Sequence, residues 1–121
     1  MNPPRTPPAF SICVYCGSKP GHKPEFVQLA DQVGTWIGAH GGQLVYGGGR
    51  NGLMGRVAEA TMAAGGTVVG IIPTALVEKE WAHHGCTELH VVDTMHERKR
   101  LMADKADAFL ALPGGIGTFE E

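Results

Sequence analysis

The chain has 121 residues, of which 43% are hydrophobic and 18% charged, and its formal net charge is −2. This length and composition fit one globular domain with a single core, which buries roughly two-thirds of the surface that the unfolded chain exposes. The small charge and the dispersed lysines and arginines argue against binding to a nucleic-acid polymer, and every apolar run is shorter than the ~20 residues of a membrane span.

The first ten residues differ in composition from the rest of the chain. They include four prolines, which favour extended backbone, and they lack the apolar segment of a signal peptide. We therefore expect a flexible proline-rich tail over residues 1–10, one globular domain over residues 11–121, and a cytoplasmic location.

Apolar runs alternate with segments of helical periodicity after the tail. Strands are predicted near residues 11–16, 43–47, 67–72, 88–92 and 107–112, and helices near residues 24–39, 52–64 and 95–106. The strands are short, continuous and rich in Val, Ile and Leu, which is typical of a parallel sheet covered on both faces. The alternation predicts a single-domain α/β structure, a Rossmann-like doubly wound parallel sheet. Residues 73–87 show neither helical nor strand periodicity. We expect them to form a loop over a ligand site at the carboxyl ends of the strands.

A charge interrupts the apolar face of the third predicted helix. Arg98 has Met95 three residues before it, and Leu101 and Met102 three and four residues after it. An arginine in this setting commonly extends its charged end to solvent or pairs with an acid. Arg98 is therefore a candidate for either role.

Two glycine-rich segments follow predicted strands. Gly47-Gly48-Gly49 fits either a tight turn with close helix packing or one wall of a nucleotide pocket. Residues 115–118 would lie at the start of a helix, where unpaired N–H groups and the Thr118 hydroxyl suit a phosphate. Glu121 lies three residues after Thr118, so it fits a capping box as well as a catalytic carboxylate.

Four segments stand out as motifs. In chain order they are Ile12-Cys13-Val14-Tyr15-Cys16-Gly17-Ser18, Gly47-Gly48-Gly49-Arg50-Asn51-Gly52-Leu53-Met54-Gly55, Met95-His96-Glu97-Arg98-Lys99 and Pro113-Gly114-Gly115-Ile116-Gly117-Thr118-Phe119-Glu120-Glu121. Together they resemble the motifs, in the same order, of the LONELY GUY (LOG) family, phosphoribohydrolases that cleave cytokinin nucleotides and related nucleoside monophosphates. The family continues well past the last motif, so we expect residues 11–121 to be a Rossmann-like nucleotide-binding domain without the C-terminal part of the family fold. We therefore expect either a fragment of an enzyme or, if the chain is complete, a frayed site with weak or no activity.

The resemblance implies specific site residues. Arg98 and Glu121 correspond to catalytic positions, and the substrate-binding positions are Glu80, Lys99, Gly114, Gly115, Ile116, Gly117, Thr118, Gly47, Gly48 and Gly49. A carboxylate such as Glu121 can stabilise the oxocarbenium character that develops when a ribose N-glycosidic bond breaks, and it can also orient water.

The resemblance also implies a reaction and an assembly. The reaction is hydrolysis of the N-glycosidic bond of a cytokinin or purine nucleoside 5′-monophosphate, such as isopentenyladenosine monophosphate or AMP, to free base and ribose 5-phosphate. It uses water, with neither a cofactor nor a metal. Family members form homodimers whose sites lie close to the subunit interface.

Two alternative functions stay open. Proteins with this signature have been labelled lysine decarboxylases, which would require Lys79 or Lys99 to hold pyridoxal phosphate. The chain could instead bind a nucleotide or phosphate without turning it over.

Histidine and cysteine spacing does not indicate a metal site. The sequence contains no His-x-x-His or His-Glu-x-x-His, so His83, His84 and His96 are expected to be surface or hydrogen-bonded side chains. Cys13 and Cys16 are three residues apart on a predicted strand and would point to opposite faces. We therefore expect Cys13, Cys16 and Cys86 to be free thiols.

Overall fold

The computed structural model describes residues 7–15, 24–50, 52–78, 82–83 and 85–112. Strands and helices alternate in the order β1 (Ser11–Tyr15), α1 (Pro24–Ala39), β2 (Gln43–Tyr46), α2 (Gly52–Ala63), β3 (Thr67–Pro73), α3 (Thr74–Glu78), β4 (Glu88–Val92), α4 (Met95–Lys105) and β5 (Ala108–Ala111). The predicted strands and helices are confirmed to within one residue at each end. The short helix α3 is new, because it lies in the segment for which we predicted a loop.

The strands form a five-stranded parallel sheet with the order β4-β3-β2-β1-β5. The chain runs from β1 outward to β4 on one side and then returns to place β5 on the other side of β1. In open α/β sheets, ligands bind where the strand order reverses in this way, at the carboxyl ends of the strands. The segments that follow β1 and β5, residues 16–23 and 113–121, lie outside the described residues.

Helices pack on both faces of the sheet. Val14, Leu44 and Tyr46 lie in one core cluster with residues of α1 and α2, whereas Cys13 and Val45 lie in a second cluster with Met102 of α4. Neighbouring residues of β1 and β2 thus enter opposite clusters, as the alternation of side chains along a strand requires. The predicted doubly wound α/β fold is confirmed.

Helices α1 and α2 approach each other closely at two glycines. Gly34 and Gly38 are buried, and a Cβ on either one would lie 2.5 Å from a main-chain oxygen of α2. At the exposed edge of the same contact, Arg56 Nη2 donates to Asp31 Oδ2 at 2.7 Å. The sequence indicated the apolar face of α1 but gave no sign that its glycines form the closest contact.

The expectation that the strands are covered on both faces is correct for β2 and β3 and wrong for β5. All four residues of β5 are exposed, and Phe109 reaches 55% exposure. β5 is at the edge of the sheet, where it pairs with β1, and the described helices pack chiefly over the other strands. Among the described ranges, no helix is both long enough and apolar enough to cross a membrane.

Residues 7–10 are the described part of the predicted tail. The Ala9 amide donates to the Gly41 carbonyl at 2.9 Å, and the Phe10 carbonyl accepts from the Gln43 amide at 2.8 Å. The Phe10 ring also packs against Trp36, with 5.5 Å between ring centroids. Residues 9 and 10 therefore contact the domain before β1 begins.

Candidate functional site

Helix α4 begins with a well-formed N-terminal cap. The Thr94 hydroxyl accepts a hydrogen bond from the Glu97 amide at 3.1 Å, and the Glu97 carboxylate accepts one from the Asp93 amide at 3.1 Å. The first bond satisfies an amide that the first turn of a helix leaves unpaired, and the second joins the Glu97 side chain to the residue before the cap. They fix the turn that carries Arg98. The sequence contained the signal for this cap, a Thr followed three residues later by a Glu, and our sequence analysis missed it.

The Arg98 side chain points into the protein, not into solvent. The residue is only 6% exposed, and its guanidinium donates from Nε to the Ile71 carbonyl at 3.0 Å and from Nη2 to the Gly47 carbonyl at 2.6 Å. On the third nitrogen, Nη1 lies 3.8 Å from the Met95 sulfur. Burial of a guanidinium is costly unless acceptors surround it, and these carbonyls supply them. Arg98 therefore ties α4 to β3 and to the turn that follows β2.

The Gly47–Gly49 turn presents three consecutive carbonyls to three different donors. Gly47 accepts from Arg98, Gly48 accepts from the His83 amide at 2.8 Å, and Gly49 accepts from the Tyr46 hydroxyl at 2.9 Å. Gly48 has a φ of +78°, a conformation that favours glycine. The structure thus shows a tight turn that holds Arg98. The alternative role, as one wall of a nucleotide pocket, stays a prediction.

Ala82, His83 and Cys86 contact this turn or the Tyr46 side chain that binds it. Ala82 forms an antiparallel bridge with Gly49, and the Cys86 sulfur lies 3.4 Å from the Tyr46 hydroxyl. Burial raises the pKa of the Cys86 thiol, and the hydrogen bond with Tyr46 partly opposes that rise. The thiol is therefore protonated at neutral pH, and it contacts the Tyr46 hydroxyl as an uncharged group.

The described histidines have contacts of their own. The His83 ring accepts at Nδ1 from the Gly85 amide at 3.1 Å, whereas Nε2 is buried and lies 3.7 Å from Glu59 Oε1, beyond hydrogen-bond distance. His96 is exposed on α4. Within the described ranges, no three His, Cys, Asp or Glu side chains are grouped as metal binding would require. Cys13 and Cys86 are free thiols.

The structure brings together some of the predicted site residues. Arg98 and the glycines of the Gly47–Gly49 turn are in contact, and Lys99 occupies the next, exposed position on α4. Tyr46 and His83 also contact the turn, although no sequence signal pointed to them. The other predicted site residues lie outside the described residues: Glu80, Gly114, Gly115, Ile116, Gly117, Thr118 and Glu121.

The arrangement fixes one positive charge near the carboxyl edge of the sheet. Main-chain carbonyls hold the Arg98 guanidinium at two of its nitrogens, so its position does not depend on a mobile side chain. A planar guanidinium held in this way is suited to pair with a carboxylate or a phosphate oxygen.

Solved structures with a similar fold include two molybdenum-cofactor proteins. The Moco carrier protein from Chlamydomonas reinhardtii superposes with a TM-score of 0.76 at 24% identity, covering 92% of this chain and 66% of that one. The molybdenum cofactor binding protein from Rippkaea orientalis gives a TM-score of 0.77 at 23% identity, covering 91% of this chain and 66% of that one. At this level of identity, the likeness supports the Rossmann-like fold alone.

Curated relatives are much more similar in sequence. A protein from Rhodococcoides fascians named cytokinin riboside 5′-monophosphate phosphoribohydrolase is 53% identical over 116 residues, which are 95% of this chain and 59% of the relative. Proteins of the same name from Mycobacterium tuberculosis and, as LOG7, from Arabidopsis thaliana are 49% and 47% identical, covering 93% and 91% of this chain and 59% and 51% of the relatives. The chain thus spans between half and three-fifths of the length of these relatives.

A family model supplies the classification. The model described as "Possible lysine decarboxylase" matches residues 54–121, which is more than half of the chain. This match includes the segment around Arg98 and the final glycine-rich motif. The chain therefore belongs to this family, the LONELY GUY family that its four motifs resemble.

Proposed function

We propose that this protein hydrolyses the N-glycosidic bond of a cytokinin or purine nucleoside 5′-monophosphate. One observation carries the proposal: the Arg98 guanidinium is buried and fixed by the Gly47 and Ile71 carbonyls. It lies in a chain that is about half identical to proteins named phosphoribohydrolases. The substrates are isopentenyladenosine monophosphate or AMP, and the products are the free base and ribose 5-phosphate.

In the proposed reaction, water attacks C1′ of the ribose. The C1′–N bond breaks, its electron pair leaves with the base, the base takes up a proton, and the hydroxyl from water stays on C1′. The Glu121 carboxylate orients the water and stabilises the oxocarbenium character at C1′. Arg98 holds that carboxylate and a substrate oxygen in register. No cofactor or metal takes part.

Substrate binding is assigned to the remaining motif residues. The 5′-phosphate binds to the amides of residues 115–118 and to the Thr118 hydroxyl, where glycines, including Gly114 just before them, leave space for a close approach. Glu80 and Lys99 are further substrate contacts, and the Gly47–Gly49 turn forms one wall of the pocket. The exposed position of Lys99 beside the buried Arg98 supports this role, because the ammonium can reach a phosphate without leaving solvent.

The test is release of free base and ribose 5-phosphate from AMP and from isopentenyladenosine monophosphate. We expect Arg98→Ala and Glu121→Ala each to lower kcat/KM by about 100-fold or more, the usual cost of losing one charge-stabilising or acid–base group. Arg100→Ala is the matched control for Arg98, because Arg100 is an exposed arginine on the same helix. Glu120→Ala is the corresponding control for Glu121.

Two results would contradict this proposal. If Arg98→Ala retained the activity of Arg100→Ala, Arg98 would not be catalytic. If the protein bound AMP but released no base from either substrate, the alternative of a non-catalytic nucleotide-binding module would be favoured.

Lysine decarboxylation is the activity that the description of the family model names. Of the two candidate lysines, Lys99 is exposed on α4, and Lys79 lies outside the described residues. We expect no visible Schiff-base absorbance when pyridoxal phosphate is added to the protein. Such an absorbance, lost in Lys99→Ala or Lys79→Ala, would revive the decarboxylase hypothesis.

We also propose that the protein is a cytoplasmic homodimer with its sites near the subunit interface. The exposure of Met95 supports this proposal. Met95 is 46% exposed and contacts the Arg98 guanidinium, so exposed apolar surface lies next to the site. The free thiols of Cys13 and Cys86 are consistent with a reducing compartment. Light scattering after size exclusion should give twice the chain mass, and Met95→Asp should shift the protein toward monomer.

A further inference from the structure

Tyr46 is a buried polar side chain to which neither the sequence motifs nor the relatives assign a role. It is the last residue of β2 and has no exposed surface. Its hydroxyl donates to the Gly49 carbonyl at 2.9 Å and lies 3.4 Å from the Cys86 sulfur. A phenol hydroxyl buried at this depth needs such partners to offset the loss of water.

The hydrogen bond from Tyr46 to Gly49 closes a short loop of main chain. The two residues between them are Gly47, whose carbonyl accepts from Arg98 at 2.6 Å, and Gly48, whose carbonyl accepts from the His83 amide at 2.8 Å. Glycine has wide conformational freedom, so three in succession do not define a turn by themselves. The hydrogen bonds to the three glycine carbonyls restrict the turn. Of the donors, Tyr46 is the one whose ring lies in the core cluster with α1 and α2.

The sheet gives the Tyr46 ring a fixed base. Tyr46 pairs with Gly70 of β3, and its side chain lies in the core cluster formed with α1 and α2. The Tyr46 hydroxyl therefore links the end of β2 to Gly49, the last residue of the turn. The Gly47 carbonyl, which binds Arg98, lies between these two points.

We propose that Tyr46 is a positioning residue for the phosphoribohydrolase reaction, so this inference rests on the proposed function. Its hydroxyl holds the Gly47–Gly49 turn in the shape that presents the Gly47 carbonyl to Arg98. The same hydroxyl contacts Cys86, so Cys86 is joined to the turn through Tyr46, as His83 is through its own amide. Tyr46 acts on the reaction only through Arg98.

The first test compares Tyr46→Phe with Thr61→Val. Tyr46→Phe keeps the ring and removes the hydroxyl, whereas Thr61→Val removes another buried hydroxyl, one that donates to the Val57 carbonyl at 2.8 Å within α2. For base release from AMP, we expect Tyr46→Phe to lower kcat by about three- to tenfold, a range that matches one lost hydrogen bond, with little change in KM. Thr61→Val should leave both constants unchanged.

A second measurement does not depend on catalysis. The Arg98 side-chain Nε–H and the His83 amide are each hydrogen bonded in the wild type, to Ile71 and Gly48. In ¹⁵N-labelled protein, we expect Tyr46→Phe to speed hydrogen exchange at both groups by about fivefold or more relative to Thr61→Val, because a looser turn opens more often.

The two measurements separate the outcomes. Unchanged exchange at Arg98 and His83 in Tyr46→Phe would overturn the inference, whether or not the protein is active. Faster exchange at every amide, equally in both variants, would also overturn it, because that result indicates general destabilisation.

If the wild type released no base, the proposed function would fail, and exchange at these two groups would still decide whether Tyr46 positions Arg98. In an Arg98→Lys background, the effect of Tyr46→Phe on kcat should disappear.

Discussion

The Arg98 guanidinium occupies the space that a side chain on Gly47 would fill. A Cβ built on Gly47 would overlap Arg98 Nη2 and lie 3.0 Å from Cζ, while the Gly47 carbonyl accepts from Nη2 at 2.6 Å. The second and third sequence motifs thus depend on each other. The glycine is needed for the space that it leaves as much as for the bend that it allows.

Gly47→Ala should therefore displace Arg98. We expect the variant to lose about 1–3 kcal/mol of stability through overpacking, and its kcat/KM to fall by about 100-fold through misplacement of a catalytic group. Urea unfolding and base release from AMP measure the two effects.

The double variant Gly47→Ala/Arg98→Ala shows whether Arg98 is the cause. The next nearest atom to the added Cβ is the Met54 sulfur at 3.4 Å, which is an ordinary contact. The double variant should therefore be as stable as Arg98→Ala alone. Additive losses would instead show that residue 47 requires glycine for its backbone. Gly66→Ala is the control, because its Cβ would crowd Gly38 Cα at 2.8 Å, and it should lower stability without a selective loss of activity.

Arg98→Lys should also inactivate the protein, although it keeps the charge. The guanidinium serves the Ile71 and Gly47 carbonyls from two different nitrogens, whereas one ammonium on a shorter stem cannot reproduce both bonds. We expect a stability loss of about 1–3 kcal/mol from an unsatisfied buried carbonyl and a fall of about 100-fold in kcat/KM. Arg100→Lys on the exposed part of α4 should change neither quantity. Wild-type activity in Arg98→Lys would show that charge alone is sufficient.

The regular elements were predictable from sequence because each has a strong periodic signal. The continuous apolar runs of β2 and β3 and the seven-residue, two-turn spacing of Ala30 and Ile37 reflect burial that the structure shows directly. The five-residue helix α3 is too short to produce such a pattern. The exposure of β5 on both faces was missed because the sequence of a strand does not state whether helices cover it.

The site was predictable only in part, for a different reason. Arg98 stood out because it interrupts an apolar face, and the glycine runs stood out by composition. Their contacts depend on residues far apart in sequence: Arg98 binds the carbonyls of Gly47 and Ile71, which are 51 and 27 positions away. A main-chain carbonyl carries no side-chain signature, so no reading of residue types would identify it as the partner of an arginine.

Gly34→Ala tests the close contact between α1 and α2. In an isolated helix, alanine is favoured over glycine by about 1 kcal/mol. Here the added Cβ would lie 2.5 Å from the Val57 carbonyl and 2.7 Å from Ala60 Cβ, so the helices must move apart. We expect a net loss of about 1 kcal/mol or more in the free energy of unfolding, with KM unchanged. Thr35→Ala, at the neighbouring exposed position, should be neutral or slightly stabilising. A stabilised Gly34→Ala would show that the helices are farther apart.

Burial of the Cys86 thiol predicts a pH dependence of stability. Because burial raises the pKa of Cys86 in the folded state, folding favours the protonated thiol. The stabilisation is fully present below the ordinary thiol pKa of about 8.5 and is lost as pH rises through the raised value of the folded state. Between about pH 7.5 and 9.5, the free energy of unfolding should therefore fall more steeply for the wild type than for Cys86→Ala.

Urea unfolding of both proteins under reducing conditions measures this difference. Other titrating groups are common to the wild type and Cys86→Ala, so only the difference between their slopes reports on Cys86. The comparison ends below the ordinary pKa of tyrosine, about 10. Equal slopes would show that the thiol titrates alike in the folded and unfolded chains. A shallower slope for the wild type would mean that the folded protein favours the thiolate, and the environment of Cys86 would then be polar instead of buried.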